Sequence, residues 1–350
     1  MNPMQKSAGD FFGAGTPTVI AELGVNHDGD VNRAIDLVRA AAAAAADVVK
    51  LQVFSADRLM HPSSVMAEYQ KRSILDDSPI DMLRRYELDA SELARIVEEI
   101  RALNMQPLAT PFSVQDVDLI ESLELPAIKI ASPDIVNWPL LQRAAEYGRP
   151  LLVSTGAANL NEISSSVAWL RGWNAQFALL HCISSYPTPP ESVNLSWIGE
   201  LAAKFNVPVG FSDHTTDVAT GALAVAAGAK FVEKHLTHDR AAGGPDHAAS
   251  LDPAQFRDYV SMVRAAGRMF GSPGKRVLEI EKDVRRVSRQ SIVATRDLPA
   301  GHVLAKQDLK LQRPGTGIPA SAWPAVVGRR TSHNILAGEM LSWQILSDAA

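Results

Sequence analysis

The densest group of ionisable side chains follows an apolar run, in the stretch VEKHLTHDRAAGGPDH at residues 232–247. It holds a glutamate, a lysine, three histidines and two aspartates, with a Gly-Gly-Pro turn before the second aspartate. A charge or an imidazole at a buried position is costly unless it is paired or bound to a metal. The sequence therefore predicts that these groups pair with one another or bind a ligand.

Two histidines are candidate metal ligands. His214 and His235 close two consecutive predicted strands, and neighbouring strands lie about 4.8 Å apart. Two imidazoles so placed can share Mn²⁺, Co²⁺ or Zn²⁺ while leaving positions for water and a substrate oxygen. His181 could be a third ligand or support the ligands, and Asp213 and Asp246 could orient the imidazoles. No role is predicted for three loop histidines, which are most often solvated: His27, His238 and His247.

Two lysines lie within predicted strands. Alternation along the strand places Lys50 and Gln52 on one face. If that face points into a barrel, Lys50 and Lys129 can form a cradle for a phosphate or carboxylate, together with nearby hydroxyl groups. These hydroxyls belong to Thr110, Ser132 and Ser154. The alternative is a set of buried salt bridges to Glu22 and Glu233; two lysines with interleaved hydroxyls favour the anion site.

Predicted strands and helices, which must position these groups, alternate regularly along the chain. Short apolar runs predict eight strands, and amphipathic segments predict helices between most of them. The strands are expected at 18–23, 47–54, 106–110, 127–132, 150–155, 177–182, 208–212 and 230–236. This pattern predicts an α/β fold, a (β/α)8 TIM barrel with its chemistry at the carboxyl ends of the strands. A doubly wound sheet is the rival, but the first strand is not followed by the G-x-G-x-x-G spacing.

The chain changes character after the barrel. We expect a flexible N-terminus at 1–16, the barrel at 17–271, a charged linker at 272–290 and a small β-rich domain at 291–350. The β-like pieces of that domain are too short to stand alone, so it is expected to pack against a partner. The segment 55–89 is too long for an ordinary loop and is expected to shape a substrate pocket.

Composition excludes several classes of protein. A net charge of −5 and a pI near 6.0, with no run of lysine and arginine, argue against a nucleic-acid surface. The single cysteine, Cys182, excludes an intrachain disulfide and fits a reducing compartment. There is no apparent signal peptide, and no apolar run approaches the roughly 20 residues of a membrane span. We therefore expect a cytoplasmic protein that binds neither nucleic acid nor membrane.

Beyond these patterns, the chain resembles the sialic acid synthase family, which includes related nonulosonic acid synthases and a spore-coat polysaccharide branch. The matching stretches, in order, are IAELGVNHDGD, DVVKLQVF, ATPF, AIKIAS, NWPLL, LVSTGAA, LLHC, YPTP, VGFSDHT, VEKHLTHD, GGPDHAASL, SIVATRDL and RPGTGI. The resemblance runs from about residue 17 to the end. It implies a TIM barrel followed by a small antifreeze-like domain, the SAF domain.

The resemblance also implies a reaction and roles for residues. Members of the family condense phosphoenolpyruvate with N-acetylmannosamine or a related amino sugar. His214 and His235 would bind a divalent metal, with Mn²⁺ expected and Mg²⁺ or Co²⁺ as alternatives. Glu22, Lys50 and Lys129 would be catalytic. The substrate-binding residues would be Thr110, Ser132, Asp134, Ser154, Ser184, Tyr186, Ser212, Glu233, Asp246 and Arg313.

The same resemblance implies an assembly. In the family the small domain is swapped within a homodimer. Arg313 of RPGTGI would then reach the acetamido end of the sugar in the partner's barrel. This arrangement would explain why the C-terminal domain looks too small to stand alone.

Three departures from the family's pattern bear on the sugar. Asp134, in Ser-Pro-Asp, stands where the family has the glutamate of Ser-Gly-Glu, and Ser184 stands where asparagine is common; 55–89 contains no asparagine. GGPDHAAS and RPGTGI look more like sialic or legionaminic acid synthases than pseudaminic ones. Two alternatives stay open: a pyruvate aldolase with a Schiff base on Lys50 or Lys129, and a carbohydrate-binding protein that has lost catalysis.

Overall fold

The structure is a computed structural model and describes residues 15–61, 63–64 and 78–348. The expected flexible N-terminus at 1–16 lies outside these residues, except for its last two. The middle of the expected pocket-shaping segment, 55–89, also lies outside them. In the described part of the chain, no helix is long and apolar enough to cross a membrane.

Eight parallel strands close into a barrel in chain order, which confirms the predicted TIM barrel. Each strand pairs with the next, and the first closes the ring by pairing with the eighth. The fourth strand is shorter than expected, because Ser132 already lies in a 3-10 turn. The strands are β1 Thr18–Gly24, β2 Val48–Val53, β3 Gln106–Pro111, β4 Ile128–Ile130, β5 Leu151–Ser154, β6 Phe177–Cys182, β7 Val209–Asp213 and β8 Phe231–His235.

Helices surround the barrel, and several of them begin at side-chain caps. Asp89, Asn159 and Asp252 each accept hydrogen bonds from backbone amides of the turn that follows, which fixes where these helices start. The α-helices are α1 Val31–Ala43, α2 Ala56–Leu59, α3 Pro79–Arg84, α4 Ala90–Ala102, α5 Val114–Ser122, α6 Trp138–Glu146, α7 Leu160–Gly172, α8 Ser196–Phe205, α9 Thr220–Ala226 and α10 Pro253–Phe270. The 3-10 turns within the barrel unit are Ser132–Val136, Pro190–Ser192 and His247–Ala249.

The barrel interior has an apolar lower layer and a polar upper layer. The lower layer is a cluster of buried residues: Ile20, Val48, Leu108, Ala127, Leu152, Ala178, Leu180 and Phe231. Because side chains alternate along a strand, the residue two positions further on faces the same interior. These residues form the upper layer: Glu22, Lys50, Thr110, Lys129, Ser154, Cys182 and Glu233. In the strand register Glu22 is opposite both Lys50 and His235, so all three lie at one level.

The chain divides into two compact units, Met1–Gly271 and Ser272–Ala350. The second unit has its own core, built around Ile292, Leu304 and Leu341. Two antiparallel pairs, β9 with β10 and β11 with β12, form its small sheets. Its elements are 3-10 turn Glu279–Glu281, α11 Lys282–Ser288, β9 Ser291–Ala294, 3-10 turn Lys306–Asp308, β10 Leu309–Gln312, 3-10 turn Ala320–Ala322, α12 Trp323–Val326, β11 Arg330–Thr331, 3-10 turn Trp343–Ile345 and β12 Leu346–Ser347. The charged segment 272–290 is therefore partly helical.

Candidate active site

Four ionisable side chains form one buried network on the inner face of the barrel. Lys50 Nζ lies 2.8 Å from Glu233 Oε1 and 3.3 Å from Glu22 Oε2. Lys129 Nζ lies 3.7 Å from Glu233 Oε2. Both lysines thus face the interior and also pair with glutamates. The salt bridges and the anion cradle that the sequence offers as alternatives involve the same side chains.

Burial and mutual charge set the protonation of this network. Burial raises the pKa of Glu22 to about 7, although Lys50 opposes the shift. Burial lowers the pKa of Lys129 to about 8 against the attraction of Glu233. Burial disfavours the Glu233 carboxylate, yet Lys129 and Lys50 together hold its pKa below the usual range. Glu22 and Lys129 are therefore the members of the network able to exchange a proton near neutral pH.

Hydroxyl groups surround the lysines. Ser212 Oγ donates to Glu233 Oε1 at 3.0 Å. The hydroxyls of Thr110 and Ser154 are buried and have no hydrogen-bond partner among the described residues. A buried polar group without a partner costs free energy. These two hydroxyls and the two lysines fit an anionic ligand that supplies acceptors.

A tight cluster next to the lysines follows β4, β5 and β6. Gly156 N donates to Ser132 Oγ at 3.1 Å, and Ser132 Oγ lies 3.5 Å from Cys182 Sγ. A Cβ at Gly156 would lie 2.4 Å from Ser184 Oγ, so any side chain there would displace its neighbours in the cluster. The sequence places Cys182 at the end of a predicted strand, but no role was predicted for it or for Gly156. Alternation along β6 could have identified Cys182, since it is two residues after the inward-facing Leu180.

The two candidate metal ligands lie side by side. The ring centroids of His214 and His235 are 5.5 Å apart, and the ring of Tyr186 lies 4.1 Å from that of His214. His214 Nδ1 donates to the carbonyl of Ile183 at 2.9 Å, which directs Nε2 to a ligand when the ring is neutral. Burial by itself would lower the pKa of His214, but the neighbouring Cys182 raises this pKa above its ordinary value. Burial lowers the pKa of His235 well below its ordinary value, which keeps that ring neutral.

Asp246 lies beside the second imidazole. Its Oδ2 is 3.7 Å from His235 Nδ1, and both residues are buried. A Cβ at Gly24 would lie 2.7 Å from the same carboxylate oxygen, and Gly24 has a φ of +52°. The end of β1 therefore needs glycine so that the Asp246 carboxylate can approach.

The residues present fit a metal that is held by two protein ligands and shared with substrate. His235 Nδ1 is buried and has no hydrogen-bond partner among the described residues. Within residues 15–61, 63–64 and 78–348, no group of three His, Cys, Asp or Glu side chains is arranged to hold a metal. Two imidazoles would leave coordination positions for water and a substrate oxygen, as open catalytic sites do.

Two predicted supports of the metal site face outward instead. His181 Nε2 bonds the carbonyl of Val193 at 2.7 Å, and its ring stacks on Phe211. Asp213 pairs with Lys234 at 3.1 Å between β8 and the helices. Both residues alternate with inward-facing neighbours, so they point away from the interior. The expectations that His181 ligates or supports a metal and that Asp213 orients the imidazoles directly are wrong.

Two of the three loop histidines are buried rather than solvated. His27 and His247 are nearly inaccessible to solvent, whereas His238 is exposed. Burial lowers the pKa of His27 to about 4, and its Nδ1 accepts from Gly29 N at 3.1 Å. The expectation of solvated histidines is therefore wrong for His27 and His247.

Asp134, a predicted substrate-binding residue, lies outside the buried network. Asp134 Oδ1 accepts from Asn137 Nδ2 at 2.9 Å, and Asn137 in turn caps α6. Asp134 is half-buried, and through Asn137 its carboxylate helps to start α6. Arg313 follows β10 in the second unit and is exposed.

Comparison with known proteins covers both units. The model of the NeuB family matches residues 37–275, and that of the SAF domain matches residues 289–346. An N,N'-diacetyllegionaminic acid synthase from Legionella pneumophila is 39% identical over 93% of each chain. A synthase of the same name from Campylobacter jejuni is 35% identical over 92% of this chain and 98% of its own. A solved N-acetylneuraminic acid synthetase from Leptospira borgpetersenii is 31% identical with a TM-score of 0.70, covering 77% of this chain and 91% of that chain.

Proposed function

The chain belongs to the NeuB family of nonulosonic acid synthases and carries a SAF domain, and from this we propose that it condenses phosphoenolpyruvate with an open-chain amino sugar. The observation that carries the proposal is the buried arrangement of two lysines, a proton-exchanging glutamate and two imidazoles around one end of the barrel. Two cationic groups suit a phosphate and a carboxylate on one small molecule.

Lys50 and Lys129 would bind the phosphate and carboxylate of phosphoenolpyruvate, with Thr110 and Ser154 donating to its oxygens. The π electrons between carbon 2 and carbon 3 of phosphoenolpyruvate then form a bond from carbon 3 to the sugar's aldehyde carbon. The C=O π pair moves to the aldehyde oxygen, which takes up a proton to become a hydroxyl, and a cationic centre is left at carbon 2. Water adds at carbon 2, and the tetrahedral product expels phosphate. Glu22, with its pKa raised by burial to about 7, can accept the proton released by that water. Its carboxylate also stabilises the cationic centre.

His214 and His235 would hold the divalent cation, and we propose Mn²⁺, with Mg²⁺ or Co²⁺ as alternatives. When bound, such a cation supplies Lewis-acid polarisation of the sugar aldehyde. The Ile183 carbonyl orients His214, and burial keeps His235 in the neutral form that a ligand requires. Tyr186 packs against the His214 ring and limits its rotation.

For the sugar, we propose a di-N-acetylated trideoxy sugar of the mannosamine type. Support comes from two relatives named as N,N'-diacetyllegionaminic acid synthases, each covering more than nine-tenths of this chain. Asp246, beside His235, would accept a hydrogen bond from a sugar hydroxyl. We also propose a homodimer in which Arg313 of one copy binds the sugar in the barrel of the other.

The test is phosphate release from phosphoenolpyruvate with Mn²⁺ and a panel of sugars. The panel contains N-acetylmannosamine, its 6-phosphate and the di-N-acetylated trideoxy sugar. We expect the trideoxy sugar to have the highest kcat/KM. Preference for N-acetylmannosamine would correct the substrate, and no phosphate release with any sugar in metal-replete protein would refute the proposed reaction.

A pyruvate aldolase is the second candidate. The observation that favours it is the pKa of Lys129, which burial lowers to about 8, because a fraction of such an amine is neutral near pH 7 and can form a Schiff base. Borohydride treatment with pyruvate distinguishes the two: a covalent adduct on Lys129 would support the aldolase, whereas an unmodified protein that releases phosphate supports the synthase.

A further inference from the structure

The segment after β8, residues 236–250, is tied at several points to the segment after β1, residues 25–30. We propose that His247 is a positioning residue that locks these two segments together, so that the neighbouring Asp246 carboxylate stays beside His235. The inference rests on the proposed function, since Asp246 is there assigned to the sugar.

The imidazole of His247 bridges the two segments. It is 1% exposed. Its Nε2 lies 3.0 Å from Asp28 Oδ1, and its Nδ1 lies 2.6 Å from Thr237 Oγ1. A carboxylate can only accept, so Nε2 carries a proton and donates to Asp28. Both ring nitrogens are therefore used inside the protein, and neither is available to substrate.

Asp28 is itself held in place. It has a φ of +53°, a backbone conformation that residues other than glycine rarely adopt. The guanidinium of Arg33, in the first turn of α1, pairs with its second carboxylate oxygen. The Asp28 carboxylate thus presents a fixed acceptor to His247 from the turn before α1.

A second tie, through Asn26, works in parallel. Asn26 is fully buried, and its Nδ2 donates to the carbonyl of Leu236 at 2.9 Å and to Ser250 Oγ at 2.8 Å. Ser250 Oγ donates in turn to the Asp246 carbonyl at 2.7 Å. Asn26 therefore fixes the two ends of the segment and the backbone of Asp246. His247 ties the adjacent position to Asp28 and, within the segment, to Thr237.

These ties place the Asp246 side chain in a narrow gap. Its Oδ2 lies 3.7 Å from His235 Nδ1, and a Cβ at Gly24 would approach the same oxygen to 2.7 Å. A small shift of the 236–250 segment would move the carboxylate either into the end of β1 or away from the sugar. A displacement of about 1 Å at a positioning group can cost on the order of 100-fold in rate.

The experiment compares His247→Leu, which removes both hydrogen bonds at similar volume, with His247→Gln, whose amide can still donate to Asp28. His238→Ala, at the exposed histidine of the same segment, is the matched control. We expect the sugar KM to rise about 10- to 100-fold in His247→Leu, as for other residues that orient active-site groups. The KM for phosphoenolpyruvate should stay within about twofold of wild type because the lysine network is untouched, and His247→Gln should recover part of the loss. Thr237→Val gives a second, milder test if His247→Leu does not fold.

Hydrogen exchange of the 236–250 amides is measured on the same proteins. Faster exchange confined to this segment, together with the selective rise in sugar KM, supports the proposal. An unchanged sugar KM in folded His247→Leu overturns it, whatever the exchange shows, and so does an equal rise in both KM values. If the wild-type chain has no synthase activity, the proposed function alone is refuted. Hydrogen exchange then decides whether His247 ties the two segments together. Unchanged exchange of the 236–250 amides in His247→Leu overturns the tie, and faster exchange supports it.

Discussion

Glu233 lies at the centre of the buried network, and the variant Glu233→Gln tests how that network is stabilised. Its carboxylate is 2.8 Å from Lys50 Nζ, accepts from Ser212 Oγ at 3.0 Å and lies 3.7 Å from Lys129 Nζ. Glutamine has nearly the same shape, so the variant removes a charge with little change in packing. It leaves two buried ammonium groups with Glu22 as their remaining counter-charge.

The structure gives the size of the effect. Removing one partner of a buried ion pair typically costs about 3 to 5 kcal/mol. The pKa of Lys129 is already lowered from 10.5 to about 8 with Glu233 present, which corresponds to about 3 kcal/mol against its charged form. Without Glu233 this pKa falls further, and loss of the proton relieves part of the cost. We expect the free energy of unfolding at pH 6 to fall by about 3 kcal/mol.

The effect depends on pH in a definite direction. The pKa of Lys129 is lower in the folded chain than in the unfolded one, so the unfolded chain binds more protons between the two values. The free energy of unfolding contributed by this group therefore rises with pH across that window. In Glu233→Gln the window begins below pH 8, so the variant should regain stability relative to wild type as pH rises from 6 to 8.

The assay is urea unfolding at pH 6, 7 and 8, followed by tryptophan fluorescence. Glu98→Gln, at an exposed position on α4, is the control and should change stability by less than about 0.5 kcal/mol. The reasoning is refuted if Glu233→Gln costs less than about 1 kcal/mol at pH 6, or if its difference from wild type does not shrink towards pH 8.

Three further variants test other parts of the molecule. His214→Ala should abolish Mn²⁺-dependent phosphate release while circular dichroism stays unchanged, because the variant loses a hydrogen bond to the Ile183 carbonyl and a 3.8 Å contact to Cys182 Sγ but no bond between strands; full activity would remove it from the metal site. Lys234→Met should destabilise the barrel by about 3 to 5 kcal/mol, since it leaves Asp213 buried and unpaired, and adding Asp213→Asn should restore most of the loss; urea unfolding measures both, and a loss below about 1 kcal/mol would contradict the pairing. Arg313→Ala should raise the KM for the sugar more than that for phosphoenolpyruvate, and an equal rise in both would argue against its proposed place.

Alternation along strands made much of the site predictable. Each barrel strand has a fixed inner face, so Lys50 and Glu233 could be placed in the interior from their spacing to the apolar residues below them. The same rule, applied to β6, would have excluded His181, which alternates with the inward-facing Leu180 and Cys182. His181 was predicted to support a metal because it lies near the end of its strand, without regard to which face of the strand its side chain is on.

Loop contacts were not predictable in this way. His247 and Asp28 are 219 positions apart in the chain, yet they share a hydrogen bond of 3.0 Å. No local pattern distinguishes a loop histidine that faces water from one that closes against another loop. Asp134 is similar, because its carboxylate bonds Asn137 at the start of a helix and the sequence shows only that an acidic residue follows β4.

The sequence by itself determined the barrel, its strand order and which side chains could do chemistry, because strand alternation and helix capping depend on residues close together in the chain. Only the tertiary structure decided which of those side chains meet. It set Glu22 and Lys129 with pKa values near neutrality, turned Asp213 outward to Lys234, and placed Asp246 beside His235. These outcomes depend on burial and on distances between residues far apart in the chain, which arise only when the eight strands close into one ring.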